Sequence, residues 1–302
     1  MISGDSSIFK DSDEYIAYVK YFRKEIQSNE LRLPFVYRPF VPFIASLLPF
    51  SPLTSLNIIN LASLLISVFM LYLLLIKCGI PFNYSIAGCF MFVFSFPTFY
   101  YGTVGYTDPV LILFLILGTY FIITEKTAPF VLTFIIGCSI KETIIIIIPV
   151  FFIYNYLRGN PWKLSLVILL ISYFGIMWIV RAIFIEKGQL LWLPSFNRFK
   201  SNIRRPRALL SMVLTFGVPG FLFFVLSVKH GWRKILSNKP LCYSLITGLF
   251  MSLTLAFYAA SAAYLDGRYI WTSYPFSIPL SLLLLTSKRK INNPEPQKMD
   301  MR

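Results

Sequence analysis

The stretch Thr54–Ile76, TSLNIINLASLLISVFMLYLLLI, carries no charged residue from end to end. A bilayer crossing needs roughly 20 apolar residues at 1.5 Å rise per residue, and this run supplies them. Similar runs recur along the chain, at about 84–100, 109–123, 128–140, 143–156, 163–183, 208–228, 240–264 and 269–286. Nine apolar segments predict an all-α, polytopic transmembrane bundle of about nine spans. Composition agrees: 57% of the 302 residues are hydrophobic and only 14% are charged, where a soluble domain has about 25%.

Three regions follow from this pattern. Residues 1–53 are mixed and polar, 54–286 form the transmembrane domain, and 287–302 form a basic tail that reads as disordered. The polar segment holds the cluster Asp11-Ser12-Asp13-Glu14-Tyr15. After it, Tyr15, Tyr18, Val19, Phe22 and Ile26 recur at helical spacing, as expected of a helix lying in the membrane interface. The N-terminus has no apolar core of a signal peptide.

The net charge of +15 is the mark of short loops and anionic headgroups in a membrane protein, and nucleic acid is not an expected partner. Cys78, Cys89, Cys138 and Cys242 sit in or beside apolar runs without paired spacing and read as small core residues. One histidine, His230, in a basic loop makes a zinc site improbable, so neither metal nor cofactor is expected.

Orientation comes from positive charge in short loops. With the C-terminus in the cytoplasm, the short outer turns carry only Lys141 and Arg268. The acidic segment then lies outside, which implies a further span upstream to carry it across. Asp11, Asp13, Glu14, Asp108, Lys141, Glu142, Asp266 and Arg268 all fall on that outer side. The segments flanking Lys141-Glu142 are only about 20 Å long as helices, against roughly 30 Å of hydrocarbon. The tip should therefore sit in a wet recess, because a charge in lipid costs at least about 2.5–3.5 kcal/mol. The competing structural reading makes Lys141–Glu142 and Asp266–Arg268 local ion pairs that fix helix ends. Arg204, Arg205 and Arg207 in a loop beside the membrane suit a phosphate headgroup by bidentate pairing, or nonspecific contact with anionic lipid.

The acidic D-S-x-E-Y segment, followed by Tyr37-Arg38-Pro39-Phe40-Val41-Pro42, resembles the first external loop of polyprenyl-phosphate-dependent GT-C glycosyltransferases, with protein-mannosyltransferase-like and ArnT-like proteins the nearest comparison. Tyr106-Thr107-Asp108-Pro109, Lys141-Glu142 and Gly267-Arg268-Tyr269 are similar to further family segments in the same order. The resemblance spans about residues 4–286. It implies inverting sugar transfer from a polyprenyl-phosphate donor to an unidentified acceptor at the outer face of the cell membrane. Asp11 is then the general base, with Asp13 and Asp5 as the other candidates. Lys141, Arg268 and the loop arginines would hold phosphate, and Glu14, Tyr15, Arg38, Tyr106, Asp108, Glu142, Asp266 and Tyr269 would line the substrate site. Two other classes fit a polytopic chain: a transporter or lipid flippase, and a noncatalytic subunit of a cell-envelope assembly. A transporter predicts charges near the midplane and often internal repeats, and the chain shows no repeat.

Overall fold

A computed structural model describes residues 7–184, 193–230, 239–263 and 265–292, with the side chains of 7–10, 230 and 287–292 outside the description. Every element among the described residues is helical. The candidate base Asp5, the loop 231–238 and the tail 293–302 lie outside them.

The chain begins with α1 (Ser7–Phe22) and two 3-10 turns, Ser28–Glu30 and Phe35–Tyr37, before the short α2 (Phe40–Ser46). The membrane-type helices follow: α3 (Pro52–Lys77), α4 (Phe82–Val93), α5 (Phe96–Gly102), α6 (Asp108–Ile123) and α7 (Thr127–Ile140). A 3-10 turn over Glu142–Ile146 leads into α8 (Ile147–Arg158) and α9 (Lys163–Ile183). Then come α10 (Phe196–Ile203), α11 (Pro206–His230), α12 (Lys239–Ala262), α13 (Arg268–Trp271) and α14 (Tyr274–Asn292).

Among the described residues, helices occupy most of each of the nine apolar segments, but their lengths differ. Four helices, α3, α9, α11 and α12, are long and apolar enough to cross a bilayer. The pair α4 and α5 makes a fifth, bent by 46°. Helices α6 and α7 and the apolar part of α14 (Tyr274–Thr286) are shorter. The architecture is that of a multi-pass helical membrane protein.

Local chemistry explains the boundaries. Ser51 caps α3 by accepting from the Thr54 N–H at 3.3 Å, with Pro52 at the first helical position. Gly79, at φ +78, closes the other end in the left-handed conformation. Where α4 gives way to α5, the hydroxyls of Ser95 and Thr98 both donate to the Phe92 carbonyl at 2.8 Å. Helix α11 is interrupted at Gly217 (φ 49, ψ −161), and Pro219 lacks the N–H that would reach the Thr215 carbonyl. The Tyr274 hydroxyl donates to that carbonyl at 2.7 Å, so α14 braces the break.

The N-terminal segment differs from its sequence reading in two respects. Its acidic cluster lies within α1, not in a loop ahead of a helix, and the helix ends at Phe22, leaving Ile26 outside it. Tyr15, Tyr18 and Val19 are buried against the protein, so this face of α1 packs on the core. Tyr18 donates to the Val36 carbonyl at 2.9 Å and stacks on Phe22. At the C-terminal side, helix α14 continues through the basic residues to Asn292, where a disordered tail was expected from Ser287.

Arg23 fastens this segment to the bundle. Its guanidinium donates to the carbonyls of Leu48 (2.7 Å), Phe50 (2.8 Å) and Ser46 (3.3 Å), between α2 and α3. Those carbonyls belong to a turn that has few backbone donors of its own. Replacing Arg23 by Met removes a charged donor from several carbonyls, so the expected loss is on the order of 2–3 kcal/mol. Thermal unfolding in detergent should show a lower Tm for R23M; an unchanged Tm would contradict this role.

Candidate functional site

The charges that the sequence places at successive helix ends meet at one end of the bundle. Asp11 on α1 pairs with Arg268 on α13 at 2.7 Å. Lys141, following α7, pairs with Asp108, the first residue of α6, at 2.6 Å. Glu142 takes a two-pronged contact from Arg38, at 3.0 Å from Nε and 2.5 Å from Nη2. The opposite end of the bundle holds a separate exposed pair, Glu125–Arg158, at 2.7 Å.

This disposes of the local-pair reading for the Lys141-Glu142 tip. Neighbours in sequence, the two residues bond to different and distant elements. The backbone is extended at Lys141 (φ −164, ψ 136), which turns successive side chains to opposite faces. Lys141 therefore enters the bundle while Glu142 faces Arg38. Asp266 and Arg268 do lie near each other, but at 3.8 Å, too far for a hydrogen bond.

Two tyrosines tie the pairs together. The Tyr15 hydroxyl accepts from Arg38 at 2.8 Å and from Thr107 at 3.2 Å, linking α1 to the start of α6. Tyr15 and Asp11 are four residues apart on α1, so one helix face presents both. Tyr101 donates to the Asp266 carboxylate. Ser211 on α11 donates to the same oxygen at 3.1 Å and accepts from the Gly267 N–H at 3.0 Å. Gly267 is obligatory here: a Cβ would collide with the Thr215 hydroxyl and lie 2.5 Å from the Ser211 carbonyl. The Asp266-Gly267-Arg268 turn is thus held against α11, which aims Arg268 across the end of the bundle. Its guanidinium also lies over the rings of Tyr106 (5.2 Å) and Tyr269 (5.6 Å), and Lys141 lies 5.8 Å from the Tyr269 ring centre.

The pairs are not equally open. Lys141 and Asp108 have side chains 2% and 3% exposed, whereas Asp11 is 21% and Glu142 37% exposed. Lys141 is buried and paired with Asp108. Arg268 is different. Its Nε and Nη1 are buried without a properly directed hydrogen-bond acceptor, despite the closeness of Asp11. Buried polar groups are nearly always satisfied, so these donors mark a place where a ligand oxygen would gain most.

Around the rim, Glu14 pairs with Arg32 at 3.4 Å. Burial raises the Glu14 pKa, and the attraction of Arg32 offsets only part of that rise. Burial alone would lower the Arg38 pKa, but the charge of Glu142 and the hydroxyl of Tyr15 hold it well above the usual value. Asp13 lies on the exposed side of α1. Arg204 and Arg207 are exposed beside α10, with Arg205 half-buried, and no contact places Arg204 or Arg207 in the charged cluster among the described residues. What holds α10 is Asn202, whose amide donates to the carbonyls of Ala260 (2.7 Å) and Ala263 (3.0 Å).

The four cysteines are buried and none is in a disulfide. No group of three or more metal-ligating side chains occurs among the described residues. No protein-family model, curated protein or solved structure matches the chain.

Tyr101, Thr107 and Ser211 are site residues that sequence reasoning passed over. Thr107 stands within the segment Tyr106-Thr107-Asp108-Pro109, and Tyr101 lies five residues ahead of it. Ser211, lying within an apolar span, gives no signal of its own. Removing one partner of the fully buried Lys141–Asp108 pair strands a charge, which costs about 3–5 kcal/mol. Lys141→Met should therefore lower the unfolding temperature in detergent more than the double change Lys141→Met/Asp108→Leu; a double variant as unstable as the single one would contradict this pairing.

Proposed function

We propose that the chain is an integral-membrane glycosyltransferase with a GT-C-like bundle of nine crossings, transferring a sugar from a polyprenyl-phosphate donor at the outer membrane face. Asp11 is the general base. It accepts the proton of the acceptor hydroxyl as that oxygen bonds to the anomeric carbon, and the bond from that carbon to the lipid phosphate breaks on the opposite side, inverting the configuration. Arg268 stabilises the negative charge on the departing phosphate, because its unmet N–H groups gain an acceptor as that charge develops.

The observation that carries the reading is the Asp11–Arg268 contact at 2.7 Å, with Asp11 part-open and Arg268 Nε and Nη1 unmet. A base and a cation are brought together from opposite ends of the chain, in the order the sequence resemblance requires. The short helices α6, α7 and α8 favour a recess at this end, since none is long enough to carry Asp108 or the Lys141-Glu142 tip to a full bilayer's height. A flippase would be expected to place such charges near the midplane, and here they gather at one end.

The test is sugar release from polyprenyl-phosphate sugars by the purified chain in lipid nanodiscs. Asp11→Asn should lower transfer by about 10²–10⁴-fold in a chain that still folds, and Asp13→Asn should stay close to the unaltered chain. Full transfer by Asp11→Asn would refute the assignment.

A further inference from the structure

A basic stretch that the transfer chemistry leaves unused lies at the same end of the bundle. Between Glu186 and Asp266 the sequence holds no acidic residue, yet it places Arg198, Lys200, Arg204, Arg205 and Arg207 close together there. Helix α10 carries the first two and sits where two spans end, α12 at Ala262 and α11 at Pro206. The Ser195 N–H donates to the Ser261 carbonyl at 2.8 Å, and the Arg198 guanidinium donates to the Ala262 carbonyl at 2.5 Å. Phe199 packs on Ala208, Ala260 and Leu265, the last of these next to Asp266. One side of α10 is thereby fixed across the span ends, at the level where a bilayer's headgroups begin.

The other side of α10 combines apolar surface with positive charge. Phe196 and Ile203, two turns apart and so on one face, are 76% and 41% exposed. Lys200 stands one turn from each of them and is exposed, as are Arg204 and Arg207 in the turn that follows. None of these three cations forms an ion pair among the described residues. The bare apolar surface then runs on into α11, where Leu210 and Val213 are 58% and 53% exposed. On a helix that spans a bilayer, such residues face lipid.

We propose that α10 and the turn after it form a docking surface for the anionic phospholipids of the surrounding leaflet, with Phe196 and Ile203 set into the acyl boundary and Lys200, Arg204 and Arg207 among the headgroups. Charge complementarity selects the occupant. Cations with no counter-charge in the chain draw an anionic surface. The apolar pair beside them fits a bilayer boundary, whereas a soluble polyanion would leave Phe196 in water. What is read is the charge of the leaflet and not the shape of one molecule, so lysine can stand in for arginine. This surface is independent of the glycosyltransferase reading.

The experiment puts a thiol-linked fluorophore on Ser201→Cys, an exposed position of α10, in the full chain in lipid nanodiscs; the four native cysteines are buried. Quenching is compared between spin-labelled phosphatidylglycerol and spin-labelled phosphatidylcholine with the same acyl chains. The anionic lipid should associate about fivefold more strongly, the worth of one cation against an anionic surface, and about 1 M salt should abolish the difference. That salt dependence reads the charge without any further substitution. Lys200→Gln/Arg204→Gln/Arg207→Gln should abolish the preference at low salt while the neutral lipid still quenches, and Arg204→Lys/Arg207→Lys should keep it. Phe196→Ser/Ile203→Ser should weaken quenching by both lipids. Arg158→Gln, at the opposite end of the bundle, should change nothing. Equal quenching by the two lipids, or a preference that survives high salt or the triple change, would overturn the proposal. So would a label that neither lipid quenches; shielding of that label by dextran sulfate would then assign the surface to a soluble polyanion.

Discussion

The ion pair between Asp11 and Arg268 joins the first described helix to a turn 257 positions later, and the rest of this end of the bundle is arranged so that it can exist. A guanidinium buried among apolar helices is costly to place. Arg268 meets that cost with a carboxylate on one side and the faces of Tyr106 and Tyr269 on two others. The turn that carries it is pinned by Ser211 and Tyr101 through Asp266, and α1 is pinned by Tyr15 and Arg23. Lose either anchor and the pair has no reason to form.

The same constraint separates two kinds of charge. Lys141 and Asp108 are dry and paired with each other, leaving Asp108 Oδ2 without a hydrogen-bond partner, and they hold α6 to the α7–α8 tip. Asp11, Glu142 and Arg268 are only partly satisfied or partly open. That inequality, more than the number of charges, distinguishes a site from a structural network, since buried pairs by themselves are weak evidence of either stability or function.

Much of this was legible in the sequence. The sequence reading grouped Asp11, Asp108, Lys141, Glu142, Asp266 and Arg268 on one side, and the structure brings them to one end of the bundle. Their pairing was not legible, because which carboxylate meets which cation depends on the helix rotations and on the extended backbone at Lys141. The burial of Tyr15, Tyr18 and Val19 was hidden for a related reason: an amphipathic helix shows the same periodicity whether its apolar face meets lipid or protein.

The claim that α1 and the α13 turn share one mouth is tested most directly by chemical bridging in native membranes. Cysteine pairs are introduced as Asp11→Cys/Arg268→Cys and, for comparison, Asp11→Cys/Arg158→Cys, against the four buried native thiols. A short bifunctional thiol reagent should bridge the first pair within a single chain and leave the second unbridged. Failure to bridge the first, or equal bridging of both, would contradict the account.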